Sequence, residues 1–154
     1  MAVGDSFGGG TVACTGGAPY LNLIAATDNG PRIRWNKSAG AFIQTFANSE
    51  NDGLSNTTKI VSAQGSPDTD YAAGVYQSYT GGGYNDWFLP AKNQLNCLYQ
   101  NKTAIGIFDP GGYWSSTQTT ASAAWLQVFA TGQQSAGANT DTLAYIRCVR
   151  NLAS

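Results

Sequence analysis

The sequence has no histidine and only one glutamate, Glu50, among its 154 residues. A Ser-His-Asp triad and a histidine-based metal site are therefore excluded, since both need histidine. A pair of carboxylates for glycoside cleavage stays conceivable, but no spacing of the aspartates and Glu50 places two of them together. We therefore expect a protein that is not an enzyme and that uses neither a metal ion nor a cofactor.

Charge is also scarce. Charged residues make up 11% of the chain, and eight basic against nine acidic residues give a net charge of −1. An overall electrostatic field that attracts nucleic acid or an anionic membrane is therefore excluded. Anion binding must be local, through a few neighbouring side chains, and we expect no nucleic acid partner.

Long apolar runs are missing. The longest, such as residues 21–26, are far too short to span a bilayer, so we expect no membrane insertion. The first four residues, Met-Ala-Val-Gly, lack the charged start and the apolar core of a signal peptide. A chain of this length is typical of one domain with its own core. We interpret residues 1–154 as a single domain taken from a longer protein whose export signal lies elsewhere.

Cysteine is rare and its number is odd, with Cys14, Cys97 and Cys148. In an oxidising compartment one pair can form a disulfide and leave one thiol over, but the spacing does not select the pair. The alternative is that these cysteines are small buried hydrophobic side chains. The chain has no CxxC motif and no Cys/His spacing that would indicate zinc.

The abundant residues are Gly, Ser, Thr, Asn and Ala, together with 12% aromatics. This mixture favours short strands with many turns, and we expect a secreted or surface-displayed domain. Apolar or alternating stretches predict strands at residues 11–14, 20–26, 32–35, 113–117, 124–129 and 144–150. In the third of these the alternation places Arg32 and Arg34 on one strand face.

Two helices are predicted between the early and the late strands. The first covers about residues 67–80, with Ser66 as N-cap, Pro67 in the first turn and apolar residues at helical spacing. The second covers about residues 90–101, starts at Pro90 and buries Leu95, Leu98 and Tyr99. Residues 36–56 are expected to be irregular, and residues 56–64 a short helix or turn. This order of elements predicts an α+β fold with an antiparallel sheet.

Three separated motifs carry a family resemblance: YNDWFLPAKNQLNCLY at residues 84–99, GGYWSST at 111–117 and IRCVR at 146–150. With the opening GDSFGGGTVAC, they make the chain similar, over nearly its whole length, to the C-terminal domain of Legionella collagen-like (Lcl-type) adhesins. The resemblance implies a C-type-lectin-like fold and a homotrimer, with three copies serving three chains of a collagen-like stalk.

The resemblance also implies a function. Adhesins of this family bind sulfated glycosaminoglycans in host attachment, cell aggregation and biofilm formation, so we expect a surface protein whose partner is a sulfated polysaccharide. Two alternatives stay open. One is a variable protein-binding module of a diversity-generating retroelement, whose polar loops at residues 117–123 and 132–142 contact a protein. The other is a trimerisation cap for the stalk.

Two departures from the family pattern matter. Many relatives carry a cysteine near Val75 and Tyr76 as the partner of the cysteine in the RCVR strand. Because that cysteine is missing here, the resemblance implies that Cys148 is free and that Cys14 pairs with Cys97. The Glu-Pro-Asn and Gln-Pro-Asp loops of calcium-dependent lectins are also missing. Calcium-dependent sugar chelation is therefore not expected.

Basic residues are the candidate binding residues. Arg32, Arg34 and Lys37 are clustered in a stretch that has no acidic residue between Asp28 and Glu50. The planar guanidinium of arginine donates two parallel hydrogen bonds, which suits sulfate and carboxylate groups. The alternative is a solvated strand edge whose charges prevent aggregation. We predict a glycosaminoglycan site formed, across three copies of the chain, by these three residues together with Lys59 and Lys102.

Other prominent side chains are expected to be structural. Arg147 and Arg150 belong to the last motif, and we expect each to pair with a carboxylate such as Asp86 or Asp109. The tryptophans could stack on carbohydrate, but those within the motifs, Trp87 and Trp114, are expected in the core because large aromatic side chains dominate cores. The remaining two, Trp35 and Trp125, are expected to be more open.

Overall fold

The computed structural model describes residues 1–16, 18–65 and 68–152. In these ranges the chain forms two antiparallel sheets and a few helices, so the prediction of an α+β class is confirmed. The strands are β1 (Ser6–Phe7), β2 (Gly10–Thr15), β3 (Asn22–Ala25), β4 (Gly112–Thr120), β5 (Ala123–Val128), β6 (Gln134–Asn139) and β7 (Val149–Asn151). The helices are α1 (Gly53–Gln64), α2 (Ala72–Gln77), α3 (Lys92–Gln100) and α4 (Lys102–Ile105), and 3₁₀ turns lie at Asp68–Asp70 and Gly81–Gly83.

The first sheet joins the two ends of the chain. Its strand order is β1-β2-β3-β7, and all neighbours are antiparallel. Leu23 of β3 pairs with Asn151 of β7, and Ala25 pairs with Val149. A register shift between Val12 and Cys14 disturbs the alternation of β2, and the three residues from Val12 to Cys14 are all buried.

The second sheet is a meander of β4, β5 and β6. Strand β6 lies in the stretch that the sequence predicts to be a polar loop at residues 132–142, so that part of the prediction is wrong. Its residues, QSAGAN, have low strand propensity. Pairing with β5, for example Ser135 opposite Leu126, holds them in a strand nevertheless.

Both predicted helices are shorter than expected. The first becomes a 3₁₀ turn at Asp68–Asp70 followed by α2, while its predicted cap, Ser66 and Pro67, lies outside the described residues. The second is α3, which begins only at Lys92, after Ala91 as N-cap. Pro90 therefore precedes the helix, and its carbonyl accepts a hydrogen bond from Ser116 of β4 at 2.8 Å.

Helix α1 corrects the prediction of two helices, since it occupies 12 residues of a stretch expected to be irregular or at most a short helix. The Asp52 carboxylate caps it by accepting from the Ser55 amide at 3.1 Å. Its buried positions have helical spacing but are mostly polar: Gly53, Asn56, Thr57, Ile60 and Gln64. A search for apolar periodicity therefore does not find this helix.

Three of the four tryptophans are core residues. Trp87 and Trp114 are buried as predicted, but Trp35 is also buried, contrary to the expectation that it is open. Its indole donates to the Ser115 carbonyl at 2.9 Å, which fastens residues 32–35 to β4. This segment is not a full strand, because only an isolated bridge joins Ile33 to Ala144.

The cysteines form one disulfide, between Cys14 of β2 and Cys97 of α3, while Cys148 is a buried free thiol. This is the pairing that the family resemblance implies. Of the helices in residues 1–16, 18–65 and 68–152, none has the length and apolar character needed to cross a membrane.

Candidate functional site

Arg32 lies on the surface beside residues 143–145. One guanidinium nitrogen donates to the Leu143 carbonyl at 3.3 Å, and the guanidinium carbon lies 5.4 Å from the centre of the Tyr145 ring. Within the described part of the chain this is the one hydrogen bond of the Arg32 side chain, and a guanidinium has five N–H donors. The remaining donors are available to an anion from solution.

Arg34 is half-buried and near a carboxylate. Its carbonyl accepts from the amide of Ala72, which attaches the segment to the start of α2. Hydrogen bonds from Asn36, at 2.7 Å, and from the Gly40 amide hold the pKa of Asp141 below its usual value, and the charge of Arg34 lowers it further. The positive charge of Arg34 is therefore partly offset by Asp141.

A single glutamine connects this segment to α1. Gln64 accepts from the Lys37 amide at 2.7 Å and donates to the Trp35 carbonyl at 3.3 Å. Lys59 is exposed five residues earlier on the same helix, about 7.5 Å along its axis. The fold thus joins Arg32, Arg34 and Lys37 to the helix that carries Lys59, a relationship that the sequence does not reveal.

Lys102 has a different environment. Its ammonium donates to the Phe129 carbonyl at 2.6 Å and lies 4.5 Å from the centre of the Tyr99 ring. No hydrogen bond or ring contact among the described residues joins it to the other four predicted binding residues. Lys102 therefore connects α4 to the end of β5, and its charge is less available to a ligand.

Two further basic residues form ion pairs. Lys92 lies 3.7 Å from the Glu50 carboxylate and 4.0 Å from the centre of the Trp125 ring, which is half-buried. Arg150 donates to both carboxylate oxygens of Asp86, as the sequence predicts, and to the Gly8 carbonyl. These contacts give both residues a structural role.

Arg147 is completely buried and does not pair with a carboxylate, contrary to prediction. It donates instead to the carbonyls of Ala26, Gly106 and Ile107 and to the side chain of Asn29. Burial lowers its pKa from the usual value of an arginine. These four acceptors satisfy most of its donors, so Arg147 is a structural centre that ties the β3 end to residues 106–107.

An aromatic cluster lies between Arg32 and Lys102. Five rings contact one another in edge or stacked geometry: Tyr99, Phe108, Tyr113, Phe129 and Tyr145. Arg32, Lys102 and Arg147 each lie against one of these rings, at 4.4 to 5.4 Å from its centre. The five rings share no sequence period, so sequence reasoning could not find the cluster.

A second feature that the sequence missed is the segment at residues 41–47, which exposes three large apolar side chains. Gln118 holds it by accepting from the Thr45 amide at 2.8 Å and donating to the Ile43 carbonyl at 2.8 Å. Phe46 points outward with 68% of its surface exposed and a φ of 61°, which is unusual for a bulky residue. Phe42 and Ile43 beside it are also exposed.

Few groups suited to catalysis come together. Among the described residues no three His, Cys, Asp or Glu side chains form a cluster that could hold a metal ion. The thiol of Cys148 is buried, and burial raises its pKa well above the usual value, so it is not an activated nucleophile.

Comparisons with known proteins agree with this description. The structure is similar to the crystal structure of a fimbrial protein from Bacteroides ovatus, with a TM-score of 0.62 and 13% identity over 93% of this chain and 44% of that one. Such a likeness shows the fold alone, and this chain covers less than half of the fimbrial protein. No curated protein matches the sequence.

The sequence itself carries the stronger finding. A model of the Lcl C-terminal domain family matches residues 25–150, which is most of the chain. This match includes all three motifs on which the resemblance to Lcl-type adhesins rests. The chain belongs to the Lcl C-terminal domain family.

Proposed function

We propose that this chain is a non-enzymatic, surface-displayed adhesin domain that binds sulfated glycosaminoglycans through Arg32, Arg34, Lys37 and Lys59. Membership of the Lcl C-terminal domain family supports the adhesin function. The observation that carries the site is the attachment of residues 32–37 to α1 through Gln64. This attachment joins the basic segment to the helix that carries Lys59.

Arg32 differs from the bases outside the proposed site in what it contacts. Lys92 and Arg150 pair with carboxylates, and Arg147 is buried among carbonyls. Lys102 is bonded to Phe129, so it contributes least among the predicted residues. Arg32 donates one hydrogen bond within the protein, to the Leu143 carbonyl. Its other N–H groups can donate charge-assisted hydrogen bonds to sulfate oxygens.

Assembly increases the effect of these few charges. We infer a homotrimer whose subunits have a C-type-lectin-like fold. The pairing of β3 with β7, which brings the early and the late strands together in one sheet, supports this fold. In a trimer each basic residue occurs three times, so weak contacts to one long polyanion combine through effective concentration. A chain with a net charge of −1 can hold a polyanion in this way.

Heparin-affinity chromatography at increasing salt tests the proposal. The double variant R32A/R34A should bind about tenfold more weakly and reduce the slope of log affinity against log salt by about 2, one for each lost contact. Lys92→Ala removes one positive charge from an existing ion pair and serves as the control, with little change expected. The proposal is overturned if the heparin column retains the wild type equally at low and at physiological salt. It is also overturned if the column retains the double variant as strongly as the wild type.

A second candidate function is protein binding, and the exposed side chains of Phe42, Ile43 and Phe46 favour it. Exposed apolar patches on soluble domains often mark contact surfaces. Such binding would persist at high salt, whereas heparin binding would weaken. Phe42→Ser should weaken binding to the protein partner and leave heparin retention unchanged, since Phe42 does not line the surface depression that Phe46 shares with Lys59.

A further inference from the structure

A groove of about 530 Å³ lies between the first turn after β2 and the exposed side of α3. It shares no lining residue with the predicted glycosaminoglycan site. Five amide side chains line it: Asn51, Asn93, Asn96, Gln100 and Asn101. Val3, Leu21 and the Cys97 end of the disulfide supply apolar wall.

Hydrogen bonds hold four of these amides, and they determine which amide atoms remain unpaired. Asn96 accepts from Gln127 at 2.9 Å through its Oδ1, and Asn101 donates to the Ala13 carbonyl at 2.8 Å through its Nδ2. Asn93 donates to the Oδ1 of Asn51 at 2.8 Å. Within the described part of the chain, the opposite amide atoms make no hydrogen bond. Among the lining side chains, Asn96 therefore keeps an unpaired donor, and Asn93 and Asn101 keep unpaired acceptors.

The groove carries no charge. Of its lining residues in the described part of the chain, none is ionisable. An anionic ligand would gain no charge-assisted hydrogen bond here, whereas a hydroxyl both donates and accepts and so matches amides of both kinds. The apolar wall suits the C–H faces that a sugar ring presents between its hydroxyls. Ligand sites commonly combine such apolar lining with a few fixed polar groups.

A peptide is the competing ligand, since its backbone also pairs with amides. A peptide that binds by adding a strand needs an unpaired strand edge. The groove is bordered by α3 and by the end of β2, where β3 pairs with one edge of the strand and the Ala13 carbonyl already accepts from Asn101 of the adjoining helix end. The geometry favours the sugar.

We propose that this groove binds an uncharged oligosaccharide through Asn93, Asn96 and Asn101. The domain then has two carbohydrate sites. One binds sulfate groups through positively charged side chains, and the other binds hydroxyl groups through amide side chains. The second does not depend on the first, because the two share no residue.

The test is a glycan array that contains both sulfated and uncharged oligosaccharides, probed with the full chain at about 0.05 and 0.5 M salt. At least one uncharged oligosaccharide should be retained equally at both salt concentrations. Asn96→Asp keeps the acceptor used by Gln127 but removes the donor that Asn96 leaves unpaired. This variant and Asn93→Ala should each weaken that binding about fivefold.

Asn85→Ala is the matched control, because Asn85 is exposed and lies outside the groove. It should leave binding unchanged, and Asn93→Ala should leave heparin retention unchanged. The proposal is overturned if no uncharged oligosaccharide is retained, or if those retained are insensitive to both groove variants. If peptides from a random library bind and their binding depends in the same way on Asn93 and Asn96, the ligand of the groove is a polypeptide and the proposal of a sugar is wrong.

Discussion

Arg150 donates its Nε–H to one carboxylate oxygen of Asp86 at 2.7 Å and an Nη2–H to the other at 3.1 Å. The guanidinium also lies over the Tyr84 ring, at 3.7 Å from its centre. This pair joins the last strand, β7, to the turn that precedes Trp87. Two of the sequence motifs on which the family resemblance rests are thus connected by a fork of two parallel hydrogen bonds.

The pair makes stability depend on pH. Hydrogen bonds from Arg150 hold the pKa of Asp86 below its usual value. The ionised carboxylate therefore stabilises the folded state above the unfolded pKa of about 3.9, and this stabilisation is lost as pH falls through the lower folded pKa. Because Asp86 is half exposed, Asp86→Asn should cost about 1 kcal/mol of unfolding free energy at neutral pH and almost nothing near pH 2.

Urea unfolding of both proteins at the two pH values measures this difference. Asp5→Asn is a suitable control for the loss of one carboxylate elsewhere on the surface. A gap between the wild type and Asp86→Asn that is the same in acid as at neutral pH would contradict the ion-pair explanation.

Arg147 should matter more for stability, because it is buried and bonded to three main-chain carbonyls. Arg147→Met fills similar space but leaves the carbonyls of Ala26, Gly106 and Ile107 without their donor. We expect a loss of about 3 kcal/mol in unfolding free energy and a melting temperature about 10 °C lower.

Arg147→Lys separates charge from geometry. Lysine keeps the positive charge but cannot reach acceptors on several sides at once, so it should lose about 2 kcal/mol. Calorimetric scans of both variants provide the measurement. A methionine variant as stable as the wild type would show that the buried hydrogen bonds of Arg147 have no net value.

Helices and strands whose buried side chains are apolar are predicted well from the sequence. The sequence predicts the start of helix α3 to within two residues, since Leu95 and Leu98 repeat at helical spacing and are buried. It does not predict helix α1 as a full helix, because the buried side chains of that helix are mostly polar. Asn56 bonds to Ser49, seven residues away, and to Ser116, 60 residues away, and only the folded chain supplies that second partner.

The candidate sites follow the same rule. The cluster of Arg32, Arg34 and Lys37 is visible in the sequence because the residues are neighbours. The hydrogen bond from Lys102 to the Phe129 carbonyl is not visible in the sequence, since 27 residues separate the two. The amide groove depends on partners that are also distant in sequence, as Gln127 is from Asn96. A site built from distant residues with ordinary side chains leaves no local pattern.

The disulfide and the free thiol predict a definite chemical reactivity. Cys14 and Cys97 close a loop across 83 residues, and loop entropy suggests that the double variant C14S/C97S loses about 4 kcal/mol of unfolding free energy. Cys148 is buried and burial raises its pKa, so it should not react in the native state. A thiol reagent should therefore find no reactive cysteine in the native protein.

Denaturant alone should expose one thiol, and denaturant with reductant should expose all three cysteines. The double variant provides the control, since it should give one thiol when unfolded under either condition. Rapid labelling of one thiol in the native wild type would contradict the burial of Cys148.

Gln118 should control the exposed segment at residues 41–47. Its side chain accepts from the main-chain amide and the hydroxyl of Thr45 and donates to the Ile43 carbonyl. The main-chain amide of Gln118 donates to the Ala47 carbonyl at 2.7 Å. These bonds keep Phe46 at a φ of 61°, a conformation that costs a bulky residue about 1–2 kcal/mol. Without them the strain favours release of the segment.

Gln118→Leu keeps the size of the side chain but removes all three of its hydrogen bonds, so unfolding free energy should fall by about 2 kcal/mol. Hydrogen exchange should become faster at the amides of Thr45 and Ala47, while the core strands keep their protection. Gln133→Leu makes the same change at an exposed site and should have no such effect. If exchange at Thr45 is unchanged in Gln118→Leu, another contact holds the segment, and Phe46 would remain presented to a partner without Gln118.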